Sequence, residues 1–147
     1  MTNRQSADIK KVSGMMRALD FCMMTTRSSD GLRARPMSNN GEVEFDGDVW
    51  FFSAADSRKV EDITRDPEVH LSYADTENFV FISMTGPGSI VHEREKKREL
   101  WMKDLERWFE DGPDSDDVVL IKVTPSRIAY WGEDEGEIEL DAEGRGR

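Results

Sequence analysis

Basic and hydroxyl side chains cluster between residues 33 and 59 of a chain that is otherwise acidic, with a formal net charge of −11. The clustered residues are Arg33, Arg35, Ser53, Ser57, Arg58 and Lys59. These residue types can bind a phosphate together, because arginine and lysine donate charge-assisted hydrogen bonds worth roughly 1.5–3 kcal/mol each. The pattern therefore predicts a local site for a small phosphorylated anion.

Two local elements are expected to hold these side chains. The stretch around Arg33 and Arg35 alternates with apolar residues, and Pro36 favours extended backbone before it, so a strand would project both arginines from one face. Ser57 is a favourable first residue for a helix that ends before Pro67. The start of such a helix favours a phosphate, because its free N–H groups and partial positive charge point outward. An exposed strand face followed by an ordinary helix cap is the alternative that these residues also allow.

The order of three segments resembles the general stress protein branch of the pyridoxamine 5'-phosphate oxidase-like superfamily, the FMN-binding split barrels. The segments are Arg35-Pro36-Met37, Trp50-Phe51-Phe52-Ser53 and Ser57-Arg58-Lys59-Val60, followed by the aromatic stretches Glu99-Leu100-Trp101, Trp108-Phe109 and Ala129-Tyr130-Trp131. The resemblance covers most of the chain, from the first predicted helix to Trp131. Ser53 stands where the family more often has threonine, and this difference keeps the hydroxyl.

The resemblance implies an antiparallel Greek-key split β-barrel with peripheral helices, and FMN, or FAD held by the same head group, as the cofactor. Together with the cationic pattern it gives the predicted cofactor-binding residues, which are Arg33, Arg35, Pro36, Met37, Ser53, Ser57, Arg58, Lys59 and Trp131. In this assignment Arg35 and Lys59 neutralise the phosphate, and Pro36 and Met37 line the flavin ring. Trp131 is expected to border the flavin of a partner subunit, since the resemblance also implies a homodimer with its cofactor sites at the interface.

The function that follows is flavin binding of the general stress type, with a flavin-dependent oxidoreductase of unknown substrate as the leading interpretation. No catalytic residue is assigned, because a flavin supplies its own electron chemistry. A carrier or redox sensor that holds the flavin without turnover is the first alternative. Pyridoxamine 5'-phosphate oxidase itself is the second, and it is disfavoured because the chain lacks an Arg-Leu-x-Pro sequence near its carboxyl end.

Composition limits the other classes of function. The excess of 31 acidic over 20 basic side chains disfavours nucleic acid, whose phosphates require a basic face. Cys22 is the single cysteine, and the sequence shows neither an apolar leader nor an apolar run long enough for a bilayer, so we expect a cytoplasmic protein without a membrane anchor. No grouping of histidine, cysteine or carboxylate residues has the spacing of a metal site.

Periodicity and turn residues predict an α+β chain that is mainly β. Residues 1–132 are expected to form one domain, and residues 133–147 an acidic tail without structure. The predicted helices are 6–19, 57–65 and 93–109, and the predicted strands are 21–26, 32–37, 42–45, 49–53, 69–73, 79–84, 89–91, 118–124 and 127–131. Hairpins are expected between 21–26 and 32–37 and, across Asp46-Gly47, between 42–45 and 49–53. The aromatic stripe of Trp101, Trp108 and Phe109 in the third helix is assigned to the core.

Overall fold

The computed structural model describes residues 3–39 and 44–140, in which the chain forms eight strands and three α-helices. The helices are α1 (Asn3–Met16), α2 (Arg58–Arg65) and α3 (Arg94–Leu100), and a 3₁₀ helix follows at Lys103–Arg107. The strands are β1 (Phe21–Ser28), β2 (Gly31–Ser38), β3 (Val49–Ala54), β4 (Glu68–Asp75), β5 (Val80–Val91), β6 (Val118–Val123), β7 (Arg127–Trp131) and β8 (Glu135–Glu139). None of the described helices is long and apolar enough to cross a membrane.

All of these strands belong to one curled antiparallel sheet, ordered β2-β1-β4-β5-β6-β3, with β7 between β5 and β8. The long strand β5 connects the two parts of the sheet. One of its edges pairs with β4, while the other pairs with β7 over Phe81–Thr85 and with β6 over Gly88–Val91. Helices lie only at the periphery, so the predicted fold class, α+β and mainly β, is confirmed.

The core lies on the inner face of the sheet. In β1 the side chains alternate, with Cys22 and Met24 buried and Phe21 and Met23 exposed, as the pleat of a strand requires. Helix α1 buries Val12 and other apolar side chains against the same cluster. This confirms the first predicted helix, with its bounds moved three residues toward the amino end.

The first predicted hairpin is confirmed, and the second is not formed by the residues that the structure describes. Strand β1 pairs with β2 across a turn that ends at Gly31, whose φ of 122° a residue with a side chain rarely adopts. Strand β3 forms as expected, but its partner is β6, in the register from Val49↔Val123 to Ala54↔Val118. Of the predicted partner of β3, residues 42 and 43 lie outside the described residues, and Glu44 and Phe45 are not in a strand.

The predicted strands 79–84 and 89–91 form one continuous strand, β5, and Gly86-Pro87-Gly88 lies within it. Here β5 changes its partner from β7 to β6, and the β6–β7 connection crosses closely over it. A Cβ atom on Gly86 would lie 2.2 Å from the carbonyl oxygen of Thr124. Glycine is therefore required by the close approach of two backbones.

The predicted helix 93–109 is wrong in its extent. Helix α3 ends at Leu100, and the extended backbone of Trp101 and Met102 separates it from the 3₁₀ helix. The break allows the Trp101 ring to pack edge-on against Phe52 of β3, with ring centroids 5.2 Å apart. The assignment of the whole stripe to the core is also wrong, because Trp108 is 59% exposed.

The prediction that residues 133–147 lack structure is corrected for the residues up to 140. Strand β8 pairs with β7, and Ile138 and Leu140 are both buried on the core side. Two apolar side chains at alternate positions, together with the free edge of β7, are enough to order this segment despite its many carboxylates. The folded part of the chain thus extends to at least Leu140, and residues 141–147 lie outside the described residues.

Candidate functional site

A cleft of about 450 Å³ lies between the end of β2, the strand β3 and the segment that follows α3. Its lining residues are Pro36, Met37, Ser38, Asn39, Phe51, Phe52, Ser53, Ala54, Lys59, Met102, Asp104, Leu105, Arg107, Trp108 and Phe109. Most of the wall is apolar or aromatic, which suits a flat ring. The predicted residues Pro36, Met37, Ser53 and Lys59 are therefore brought together here.

Lys59 supplies a positive charge to this largely apolar cleft. It lies in the first turn of α2, and burial lowers the pKa of its ammonium, to which the neighbouring charge of Arg35 also contributes. Among the described residues no acceptor is found for the Lys59 ammonium. Lys59 thus lies near a second cation, Arg35, and has no carboxylate partner among the described residues. This arrangement is expected of a binding site for an anion.

Arg35 projects from the inner face of β2, as the alternation predicted. Its Nη1 donates to Thr26 Oγ1 at 2.7 Å and to the Met24 carbonyl oxygen at 3.3 Å. Its Nη2 lies 3.6 Å from Oδ2 of Asp62, a buried residue of α2. Burial lowers the pKa of Arg35, and the charge of Asp62 opposes this effect. The guanidinium is thus held close enough to Lys59 to affect its charge, beside the cleft and not among the residues that line it.

Arg33 and Arg58 stand outside the cleft, and both are exposed. Arg33 forms an ion pair with Asp30, in which its Nε donates to Oδ1 at 3.1 Å, and this hydrogen bond raises the pKa of Arg33. The charges of Arg33 and Arg58 both lower the pKa of Arg35, and the charge of Arg35 lowers that of Lys59. These three arginines and Lys59 therefore form one group of four cations whose charges affect one another. The structure places Arg33 and Arg58 at the rim of this group and not in the lining of the cleft.

The two predicted hydroxyl residues contact each other. Ser57 occupies the first position before α2, but its side chain makes no capping hydrogen bond. Its Oγ lies 3.0 Å from Oγ of the buried Ser53, which also donates to the carbonyl oxygen of Ala54 at 3.1 Å. This pair connects the end of β3 with the start of α2, one residue away from Arg58.

Trp131 is a further predicted site residue that does not line the cleft. It ends β7, pairs with Phe81 and Glu135, and is 44% exposed on the outer face of the sheet. It does not line the cleft of its own chain. The expectation for Trp131 concerned the flavin of a partner subunit and stays a prediction.

Asp62 and one wall of the cleft were not predicted from the sequence. Asp62 lies three residues before Arg65, and this helical spacing is the signal that could have placed it beside a cation. The wall formed by residues 102–109 was missed because its aromatic residues were assigned to the core. The complete arrangement is a largely apolar cleft with Lys59 in its lining and Arg35 nearby.

Comparison with known proteins identifies the family of the chain. The family model described as "Pyridoxamine 5'-phosphate oxidase like" matches residues 7–143. General stress protein 26 of Bacillus subtilis is 32% identical over 83 residues, which are 54% of this chain and 59% of that protein. The chain spans about 60% of the length of the curated relatives that it matches.

Solved structures share the fold. General Stress Protein 26 from Bacillus anthracis superposes with a TM-score of 0.78 at 23% identity, covering 90% of this chain and 98% of that one. A pyridoxamine 5'-phosphate oxidase-related, FMN binding protein from Nostoc punctiforme superposes with a TM-score of 0.63 at 12% identity, covering 97% of this chain and 92% of that one. On the match of its sequence, the chain belongs to the pyridoxamine 5'-phosphate oxidase-like family, with general stress protein 26 among its relatives.

Proposed function

We propose that this protein binds a flavin nucleotide, FMN or FAD, with the ring in the cleft and the phosphate at its cationic end. The observation that carries the proposal is Lys59, a partly buried ammonium beside Arg35 for which no acceptor is found among the described residues. A phosphate would relieve the repulsion between the two cations and restore the hydrogen bonds that burial removes from the ammonium.

The residues present fit this ligand. Lys59 and Arg35 would neutralise the phosphate, and the hydroxyls of Ser53 and Ser57 lie where α2 begins. Pro36 and Met37 would contact the ring, because both line the apolar part of the cleft. Family membership supports the same assignment, since one structural relative is described as FMN binding.

A bound flavin would supply electron transfer, while the chain supplies binding, orientation and exclusion of water. The leading interpretation is therefore a flavin-dependent oxidoreductase of unknown substrate. A carrier or sensor differs from it in one measurable property, which is whether a donor reduces the bound flavin. Rapid bleaching of the flavin absorbance by NADH or NADPH supports the oxidoreductase, and inertness toward both supports the carrier.

Titration with FMN and with riboflavin, which lacks the phosphate, tests the binding site. We expect the fluorescence of FMN to be quenched on binding. FMN should bind at least tenfold more tightly than riboflavin, because a charge-assisted hydrogen bond to the phosphate is worth roughly 1.5–3 kcal/mol. At a free FMN concentration of about 100 times Kd, the free energy of unfolding should rise by about 2.7 kcal/mol. Equal affinity for the two ligands contradicts the phosphate site, and absence of binding contradicts the function.

We also propose that the protein is a homodimer that associates through the outer face of its sheet. Strand register places Phe21, Met23, Leu32 and Trp131 on this face, all of them exposed. Phe79, which precedes β5, is 73% exposed and has a positive φ of 53°, so an unfavourable backbone conformation presents an apolar ring. Exposed apolar residues gathered on one face are typical of an interface between proteins.

Replacing Trp131 by glutamate should convert the dimer to a monomer, because a carboxylate would have to be buried without a partner. Sedimentation velocity of the purified protein measures the change in mass. Ser6→Glu adds the same charge to the exposed face of α1 and should leave the mass of the dimer unchanged. A wild-type monomer at micromolar concentration, or a Trp131→Glu variant that remains dimeric, contradicts this interface.

A further inference from the structure

Asp62 is a carboxylate with only 2% of its surface exposed, on the side of α2 that faces β1 and β2. Its Oδ1 accepts hydrogen bonds from Ser28 Oγ at 3.0 Å and from Arg65 Nη2 at 3.4 Å. Its Oδ2 accepts from Thr26 Oγ1 at 2.9 Å and lies 3.6 Å from Arg35 Nη2. Burying a charge without such partners would cost several kcal/mol. The two carboxylate oxygens thus have different neighbours, and only Oδ2 faces Arg35.

Thr26 connects Asp62 and Arg35 a second time. A hydroxyl has one proton, and that of Thr26 points to Asp62 Oδ2, so its lone pairs are free to accept from Arg35 Nη1 at 2.7 Å. The orientation of the Thr26 hydroxyl is therefore fixed by the carboxylate. Asp62 restrains the guanidinium both directly and through this buried hydroxyl, whereas Ser28 contacts Asp62 without contacting Arg35.

The position in which Arg35 is held is unfavourable for a cation alone. Lys59 lies close enough for the two like charges to affect each other, and an arginine without restraint would turn toward water. The contacts to Asp62 and Thr26 engage Nη1 and Nη2 and leave Nε–H without an acceptor among the described residues. Arg35 is thus kept beside the cleft with a donor to spare before any ligand arrives, which lowers the entropic cost of binding.

We propose that Asp62 is a positioning residue that holds Arg35 at the cationic end of the cleft and thereby sets the preference for a phosphorylated over an unphosphorylated ring ligand. This inference rests on the proposed flavin site and assigns the residue that makes the site selective. Asp62 itself would not contact the ligand. Its effect is expected on the phosphate alone, because the ring is bound by other residues.

The experiment measures the Kd of FMN and of riboflavin for the wild type and for Asp62→Asn, which keeps the shape of the side chain and removes its charge. We expect FMN to bind about tenfold more weakly, a coupling within the usual range for residues in one network, and riboflavin to be unaffected. In a protein that already carries Arg35→Gln, adding Asp62→Asn should not change the Kd of FMN further. The proposal is overturned if Asp62→Asn weakens the binding of FMN and riboflavin equally, or if the losses of FMN affinity from Asp62→Asn and Arg35→Gln add in the double variant.

If Asp62→Asn fails to fold, two variants that each remove one hydroxyl test the same proposal. Thr26→Val removes the hydroxyl that touches both Asp62 and Arg35, and Ser28→Ala removes one that touches Asp62 alone. Thr26→Val should weaken FMN binding selectively, and Ser28→Ala should leave it unchanged. The reverse order, or equal effects of the two variants, overturns the proposal.

The side-chain NMR signal of Arg35 separates this inference from the proposed function. In the unliganded wild type its Nη1 protons, which donate to Thr26 and Met24, should give resolved signals in slow exchange with water, and Asp62→Asn should broaden or remove them. A wild type that binds no flavin refutes the proposed function, while the NMR signal still reports whether Asp62 holds Arg35. An Arg35 signal unchanged by Asp62→Asn overturns the positioning role.

Discussion

Replacing Lys59 by methionine should weaken FMN binding about 10- to 150-fold, the equivalent of one lost charge-assisted hydrogen bond. Methionine keeps the length and much of the apolar stem of lysine but removes the ammonium. Because the phosphate is the group that Lys59 would contact, the affinity for riboflavin should change little. Fluorescence titration of both ligands measures the two effects in the same preparation.

The same Lys59→Met change should raise the melting temperature of the unliganded protein. Burial and the neighbouring Arg35 lower the pKa of Lys59, so the folded state binds this proton less tightly than the unfolded state does. The group therefore disfavours folding at neutral pH, and its penalty disappears as the pH rises from the lowered pKa toward the ordinary lysine value of 10.5. The advantage of the variant over the wild type should shrink in that interval.

Melting curves of the two proteins without ligand, recorded between pH 7 and the ordinary lysine value of 10.5, measure this difference. Lys10→Met, on the exposed face of α1, removes the same charge from water and serves as the control. If Lys59→Met binds FMN as tightly as the wild type, Lys59 does not contact the phosphate. If the variant melts lower than the wild type at neutral pH, the ammonium is not under the repulsion inferred here.

Replacing Gly86 by alanine should destabilise the protein by about 3 kcal/mol, the upper end of the usual cost of overpacking. The new Cβ would lie 2.2 Å from the Thr124 carbonyl oxygen and 2.6 Å from the Pro125 Cα atom. Both are backbone atoms that cannot rotate away, so β5 would have to separate from the β6–β7 connection. For a domain of this size, the melting temperature should fall by about 6–12 °C.

Gly14→Ala is the matched control for this substitution, because a Cβ there would meet nothing within 4 Å. Within helix α1 alanine is favoured over glycine, so this variant should gain about 0.5–1 kcal/mol. Urea denaturation of both variants beside the wild type gives the free energies of unfolding. A Gly86→Ala protein as stable as the wild type would show that the two backbones do not approach each other as closely as described.

The parts of the fold that depend on near neighbours could be predicted from the sequence. The β1–β2 hairpin has its turn residues between its strands, and α2 has its cap and its stop within ten residues. The pairing of β3 with β6 could not be predicted, because nothing local to Val49 specifies a partner so far along the chain. Strand β8 was missed because its glutamates dominate the composition, whereas the ordering comes from Ile138 and the edge of β7.

The residues of the candidate site could likewise be predicted only in part. Lys59 and Ser53 were found because residue type and order along the chain carry the resemblance, and the structure brings both to the cleft. Asp62 was missed because a sequence with 31 acidic residues does not distinguish a buried carboxylate from a solvated one. Trp108 was misassigned because a helical stripe predicts a core only if the helix continues, and this one is interrupted at Trp101.

The pairing of β3 has a consequence for how the protein is made in the cell. Among the described residues, β6 is the strand that holds β3 in the sheet, and β6 begins only at Val118. While the ribosome is still adding the residues before Val118, the nascent chain can already form the β1–β2 hairpin with its arginines. Ser53 and the aromatic wall have no fixed place at that stage, so the proposed flavin could bind only late in synthesis.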